Sequence, residues 1–149
     1  KGVDTLPNSY EVTVADVRGA LEKQGIDEDS IMEGDAVFFR YGWALLWSDG
    51  DAYNTNPPGI GMEVGQWIVD KKVSMIGSDQ WNSEVTPSPG EGMAFPVHQL
   101  LITENGIFNL ENMQYEDLVA DGVHEFLFIF NPIRFKGGTG SPGRPIAIN

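Results

Sequence analysis

The apolar residues between positions 57 and 79 change their period, and this change restricts the fold more than any other feature of the chain. Ile60, Val64, Trp67 and Ile68 recur at helical spacing behind Pro57-Pro58-Gly59. The spacing predicts an amphipathic helix over Ile60–Asp70, with Lys71-Lys72 complementing the negative end of its dipole. Val73–Gly77 (VSMIG) has no helical spacing and predicts a short strand with Asp79 just past its end. A helix followed by a strand that ends in a polar residue is the order by which α/β folds place site residues on loops.

The same alternation extends to both sides. Thr13-Val14-Ala15-Asp16 has the form of a capping box, and Val14, Val17 and Leu21 share one helical face until Gly25, so a helix is predicted over residues 14–24. Gly34-Asp35 turns the chain into Ala36–Tyr41 (AVFFRY), a predicted buried strand in which Arg40 is the odd residue. A loop carrying Trp43, Trp47 and Tyr53 follows. Pro96 can start a short helix with His98 and Leu101, Asn105-Gly106 marks a turn, and Ile107–Leu110 is a brief strand that delivers Glu111. Val123–Phe130 (VHEFLFIF) is apolar on both faces from Phe126 onward and predicts a central strand; Arg144–Ile148 predicts the last one. The sum is a mixed-sheet α/β fold of about five strands and three helices, in a single domain spanning residues 1–149.

Composition removes several classes of function. A net charge of −13, with no basic run longer than Lys71-Lys72, argues against nucleic acid or an anionic membrane as partner. No apolar run approaches the roughly 20 residues that span a bilayer. Without cysteine, disulfides, thiolate nucleophiles and zinc fingers are excluded, and the remaining metal ligands are imidazole and carboxylate, which suit zinc or manganese. The chain begins at Lys1, which suggests processing or an internal cut; a cytoplasmic location is the working expectation.

Three places could carry chemistry. His98 and Glu111 flank a short turn and could each give one ligand to a metal that activates water; a hydrogen-bonded core histidine beside a surface glutamate is the alternative. His124 opens an exposed stretch and is read as a surface residue. The glycine-rich segment Gly137–Arg144 could hold an anion or simply join two strands, and its Ser141 has no histidine and acid spaced as a catalytic triad. Arg40, Trp43 and Asp79 could clamp a carboxylate or stack on an aromatic substrate, or serve as ion pair and core edge.

In order along the chain, Gly34-Asp35-Ala36-Val37, Arg40-Tyr41-Gly42-Trp43, Pro58-Gly59-Ile60, Ile76-Gly77-Ser78-Asp79, His98-Gln99-Leu100-Leu101, Glu104-Asn105-Gly106-Ile107, Leu110-Glu111-Asn112 and Gly138-Thr139-Gly140-Ser141-Pro142 form a recognisable series. Over residues 34–148 it resembles the C-terminal part of the metal-dependent cyclase family, which includes kynurenine formamidase-like enzymes and isatin hydrolases. The resemblance implies a swivelling β/β/α-type fold and hydrolysis of an amide, lactam or lactone by metal-activated water. It also implies that His98 and Glu111 are metal ligands with catalytic roles, and that Arg40, Trp43, Asp79 and Ser141 lie on the substrate side. The family's upstream motif HxGTHxDxPxH has no counterpart here. The resemblance therefore implies an incomplete fold and ligand set, completed by an N-terminal half that is either a removed segment or a separate chain. A small-molecule substrate and a homo-oligomer are expected. The alternatives are a non-catalytic binding module that keeps the fold, and a metal-dependent cyclase or lyase.

Overall fold

The computed structural model describes residues 2–90 and 92–149. They fall into two compact units, Lys1–Tyr115 and Glu116–Asn149. Each is built from short elements.

The first unit opens with strand β1 (Glu11–Val12) and helix α1 (Val14–Gln24). The capping box forms as its sequence predicts: the Thr13 side chain accepts from the Asp16 amide, the Asp16 carboxylate accepts from the Thr13 amide, and Gly25 ends the helix at φ 70°. Such reciprocal capping is worth about 1 kcal/mol for each satisfied donor. Strand β2 (Ala36–Phe39) is shorter than the predicted Ala36–Tyr41, because the Tyr41 amide donates to Asp79 Oδ1 at 2.8 Å and so leaves the ladder. Its residues are half-buried, with only Phe39 fully covered.

The predicted loop after Gly42 is helical instead, as a 3-10 turn over Trp43–Leu46 and helix α2 (Gly50–Asn54), whose Asp49 side chain caps the Ala52 amide. The helix expected from Ile60 begins later. Gly59–Ile60 is strand β3, paired in parallel with β1, and helix α3 runs over Met62–Lys71. Ile60 keeps the helical phase of Val64, Trp67 and Ile68 because all four face one core, which makes the strand invisible to periodicity.

Strand β4 (Met75–Ser78) lies between β2 and strand β5 (Phe108–Leu110), parallel to both. Between β4 and β5, Pro96 begins helix α4 (Pro96–His98), which continues as a π-helix over Gln99–Glu104 and turns at Gly106, φ 67°. A π-helical segment of this kind often accompanies a functional site. Helix α3 packs against this helix through Gly65, where a Cβ would lie 3.1 Å from Leu100. The core joins Trp43, Ile60, Val64, Ile68, Ile76 and Leu101.

The second unit holds helix α5 (Glu116–Ala120) and an antiparallel ribbon of strands β6 (Leu127–Ile129) and β7 (Ile146–Ile148). The sequence expectation of a central strand over Val123–Phe130 is corrected here. Only three residues are extended, they pair with β7 alone, and Leu127 and Ile129 are exposed. Apolarity on both faces signals a central strand only where both faces are covered, and on this ribbon one face is open.

Candidate metal and hydrolase site

The carboxyl ends of β4 and β5 point the same way, and the candidate site gathers there, as ligand sites do in parallel sheets. Residues 78–84 leave β4 as a buried polar segment. Ser78, Asp79, Gln80, Asn82, Ser83 and Glu84 are each at most 2% exposed. Most of its polar groups are paired: the Gln80 side-chain amide donates to the Pro58 and Glu84 carbonyls, the Asn82 side-chain amide donates to Glu84 O and Thr86 Oγ1, and the Tyr41 hydroxyl donates to Ser83 O, while Asp79 Oδ2 is buried with no hydrogen-bond partner. Ile60 and Glu84 form a parallel bridge, and the backbone of Glu84 runs so close to Gly59 that a Cβ there would lie 2.3 Å from the Glu84 carbonyl carbon. A glycine is therefore needed at position 59 to seat Glu84.

Glu84 is the residue that sequence reasoning passed over. Its Oε2 accepts from the Val97 amide at 3.1 Å; its Oε1 accepts from the His98 amide at 3.1 Å and from His98 Nδ1 at 2.5 Å. A buried carboxylate holding the first turn of a helix and the ring of a histidine in that turn fixes the imidazole's rotation. It also puts the proton on Nδ1 and turns Nε2 outward. Nε2 faces Glu111 Oε1 at 3.1 Å, and Asn109 Nδ2, donating to Glu111 Oε1 at 3.0 Å, lies 3.2 Å from Nε2. Ser83 in turn donates to Asn109 Oδ1 at 2.7 Å, which orients that amide. The structure thus brings His98 and Glu111 together, each about one-third exposed, and supplies Glu84 and Asn109 behind them.

Between two carboxylates, His98 holds its proton up to a pKa of about 9; the hydrogen bonds to Glu111 and then to Glu84 are the main causes, against the opposing pull of burial. The same 3.1 Å edge between Nε2 and Oε1 matches two donors on neighbouring vertices of a divalent ion bound at roughly 2.1 Å. The pair therefore fits a metal as two of its ligands. Among the described residues no group of three or more His, Cys, Asp or Glu is arranged to hold an ion.

Asp79 and Trp43 are tied into the first unit by hydrogen bonds to its backbone. Asp79, fully buried, accepts the Tyr41 amide; burial raises its carboxyl pKa, while the backbone amides of Tyr41, Ala44, Gly42 and Trp43 pull it back. Trp43 is 1% exposed and its indole donates to Tyr53 O at 2.8 Å. Arg40 is half-buried one residue past β2. Ser141 belongs to the second unit, between β6 and β7, where its hydroxyl donates to Pro142 O. Tyr53 reaches the region of Glu111 from α2: its hydroxyl donates to Asn112 Oδ1 at 2.6 Å, and desolvation first, then Asp79 and Glu111, push its pKa to about 12. Phe95 packs edge-on against His98 with ring centroids 5.6 Å apart, and Trp47 does so against Tyr53 at 5.2 Å; Phe95 and Trp47 are exposed.

Residues 3–85 match the family described as Cyclase, and the chain belongs to that family. It is 28% identical over 130 residues to isatin hydrolase of Roseibium aggregatum, an alignment that covers 82% of this chain and 48% of that protein. A crystal structure of a novel cyclase superimposes with a TM-score of 0.84 at 30% identity, over 97% of this chain and 48% of the other. An isatin hydrolase bound to the product analogue thioisatinate gives 0.75 at 25% identity, over 95% and 53%. The mixed α/β fold with parallel sheets is the expected cyclase type, and the chain spans about half the length of the relatives it matches. Among the described residues no helix is long and apolar enough to cross a membrane.

Proposed function

We propose that this chain supplies the downstream half of a metal-dependent hydrolase site that opens a C–N or C–O bond of an amide, lactam or lactone. The observation that carries the reading is the Glu84–His98–Glu111 line, in which a buried carboxylate fixes Nδ1 and leaves Nε2 and Oε1 converging at 3.1 Å. Membership of the cyclase family and similarity to an isatin hydrolase support the same chemistry. His98 Nε2 and Glu111 Oε1 would hold zinc or manganese together with ligands from outside this chain, on a preceding segment or a separate polypeptide. When bound, such an ion lowers the pKa of a water and polarises a carbonyl.

The chain's own residues do the rest. Glu84 keeps the Nδ1 proton and increases the basicity of Nε2. Asn109, oriented by Ser83, donates to Glu111 Oε1 and holds that carboxylate towards the imidazole. Phe95 covers one side of His98 and limits its contact with water, while exposed Phe95 and Trp47 offer apolar faces to a flat substrate. A cyclase or lyase reaction on the same residues would consume no water, so product analysis distinguishes it.

The test is metal content and turnover in His98→Ala and Glu111→Ala. Both should fall together; a variant with full metal and full rate removes its residue from the site. A second reading is a binding module without catalysis. It predicts a protein that stays metal-free when zinc or manganese is supplied to the whole assembly.

A further inference from the structure

Asn109 completes a triangle at the His98–Glu111 pair. Its Nδ2 lies 3.0 Å from Glu111 Oε1 and 3.2 Å from His98 Nε2, and those two atoms are 3.1 Å apart. Adjacent donors around a divalent ion bound at about 2.1 Å are about 3.0 Å apart in octahedral coordination and about 3.4 Å apart in tetrahedral coordination. The triangle therefore has the size of one face of a coordinated ion, with an amide nitrogen at its third corner. That nitrogen is a donor group and no ligand; the oxygen of the same carboxamide is one.

Turning the carboxamide over exchanges the two atoms, and its neighbours allow this. Asn109 Oδ1 accepts from Ser83 Oγ at 2.7 Å, and Ser83 Oγ lies 2.8 Å from Ser78 Oγ, where either hydroxyl can donate. Ser78 Oγ also lies within 3.4 Å of Gln80 O as a donor. With the amide reversed, Nδ2 donates to Ser83 Oγ, Ser83 donates to Ser78 Oγ, and Ser78 donates to Gln80 O. Both serines are at most 2% exposed, and each keeps a partner in either direction. An ion drives the reversal. Nδ2 donates to Glu111 Oε1, but an ion on Oε1 and Nε2 would face the positive end of the amide dipole and attract its carbonyl end instead.

We propose that Asn109 Oδ1 is a third metal ligand from this chain, brought to the ion when the Asn109–Ser83–Ser78 row of hydrogen bonds reverses. The assignment rests on the hydrolase reading for the presence of the ion. Imidazole, carboxylate and carbonyl oxygen on one face suit the same zinc or manganese.

Zinc affinity tests it, measured by competition with a chelator on the protein from its whole reading frame after metal removal, with Asn109→Leu, Asn109→Asp and His98→Ala beside the parent. Asn109→Leu should bind zinc roughly tenfold or more weakly. Asn109→Asp separates a ligand from a support. A carboxylate there can bind the ion, so zinc should be held at least as tightly as by the parent; if Asn109 only donates to Glu111, the new charge repels that carboxylate and affinity falls. In protein labelled with ¹⁵N-asparagine, the nuclear Overhauser contacts of the Asn109 amide should pass from the His98 ring to the Ser83 methylene as zinc is added. Undiminished affinity in Asn109→Leu, weakened affinity in Asn109→Asp, or amide contacts unmoved by zinc overturns the assignment, and zinc loss in His98→Ala then leaves the hydrolase reading standing. Equal zinc affinity in His98→Ala and the parent overturns both. Circular dichroism checks folding; if Asn109→Leu does not fold, Asn109→Asp and the amide contacts still decide.

Discussion

Replacing Glu84 by Gln keeps the side chain's volume and removes one negative acceptor from a place where three donors converge. The carboxylate accepts from the Val97 amide, the His98 amide and His98 Nδ1, at 2% exposure. A carboxamide has one oxygen, so whichever way it is turned its NH₂ faces an N–H. Losing charge-assisted hydrogen bonds costs about 1.5–3 kcal/mol, and leaving a buried donor unmet adds about 1–3 kcal/mol. Because the helix start can shift by a few tenths of an ångström, the lower half of the combined range, about 3–4 kcal/mol, is expected. For a chain of this size that corresponds to a fall of roughly 10 °C in the unfolding midpoint. The imidazole should respond as well: with Glu84 neutral, only Glu111 still supports the proton, and the His98 pKa should fall from about 9 towards the ordinary 6.5. Thermal unfolding followed by circular dichroism, with proton NMR of the two histidines, reads both effects. A midpoint within about 2 °C of the parent and a titration still near 9 would refute the account of Glu84.

Other outcomes follow from the same contacts. The folded pKa of His98 is raised, so its ion pairs contribute fully below about 6.5 and lose their contribution as pH rises through about 9. The unfolding midpoint should therefore drop between pH 7 and 10, and His98→Gln should flatten that drop. Gly59→Ala should destabilise by about 3 kcal/mol and shift His98, because its Cβ meets the Glu84 backbone; a urea midpoint equal to the parent's would count against that packing. Tyr53→Phe removes the 2.6 Å bond to Asn112 and should cost about 1 kcal/mol in urea unfolding, with no change in metal content.

How much of this was legible in the sequence depends on the range of the signal. Helix α1 was, because Thr13, Asp16 and Gly25 encode both of its ends locally. The helix starting at Pro96 and the turn at Gly106 were legible for the same reason, and with β5 they placed His98 near Glu111. Ile60 misled because a strand residue and a helical face can share one core, and Val123–Phe130 misled because apolarity does not say which face is covered. Glu84 was missed because nothing near it in sequence shows that it is buried. Its partners lie on β3 and on helix α4, and only the fold brings them together. A signal existed in the polar run Ser78–Glu84 directly after a buried strand, where a site loop belongs.

The most direct test of the central claim is the metal content of the protein purified from its whole reading frame, measured by mass spectrometry alongside His98→Ala and Glu111→Ala. The account predicts close to one zinc or manganese per site in the parent and a loss of at least tenfold in each variant, with hydrolysis falling in parallel. Full metal and undiminished turnover in both variants would contradict it.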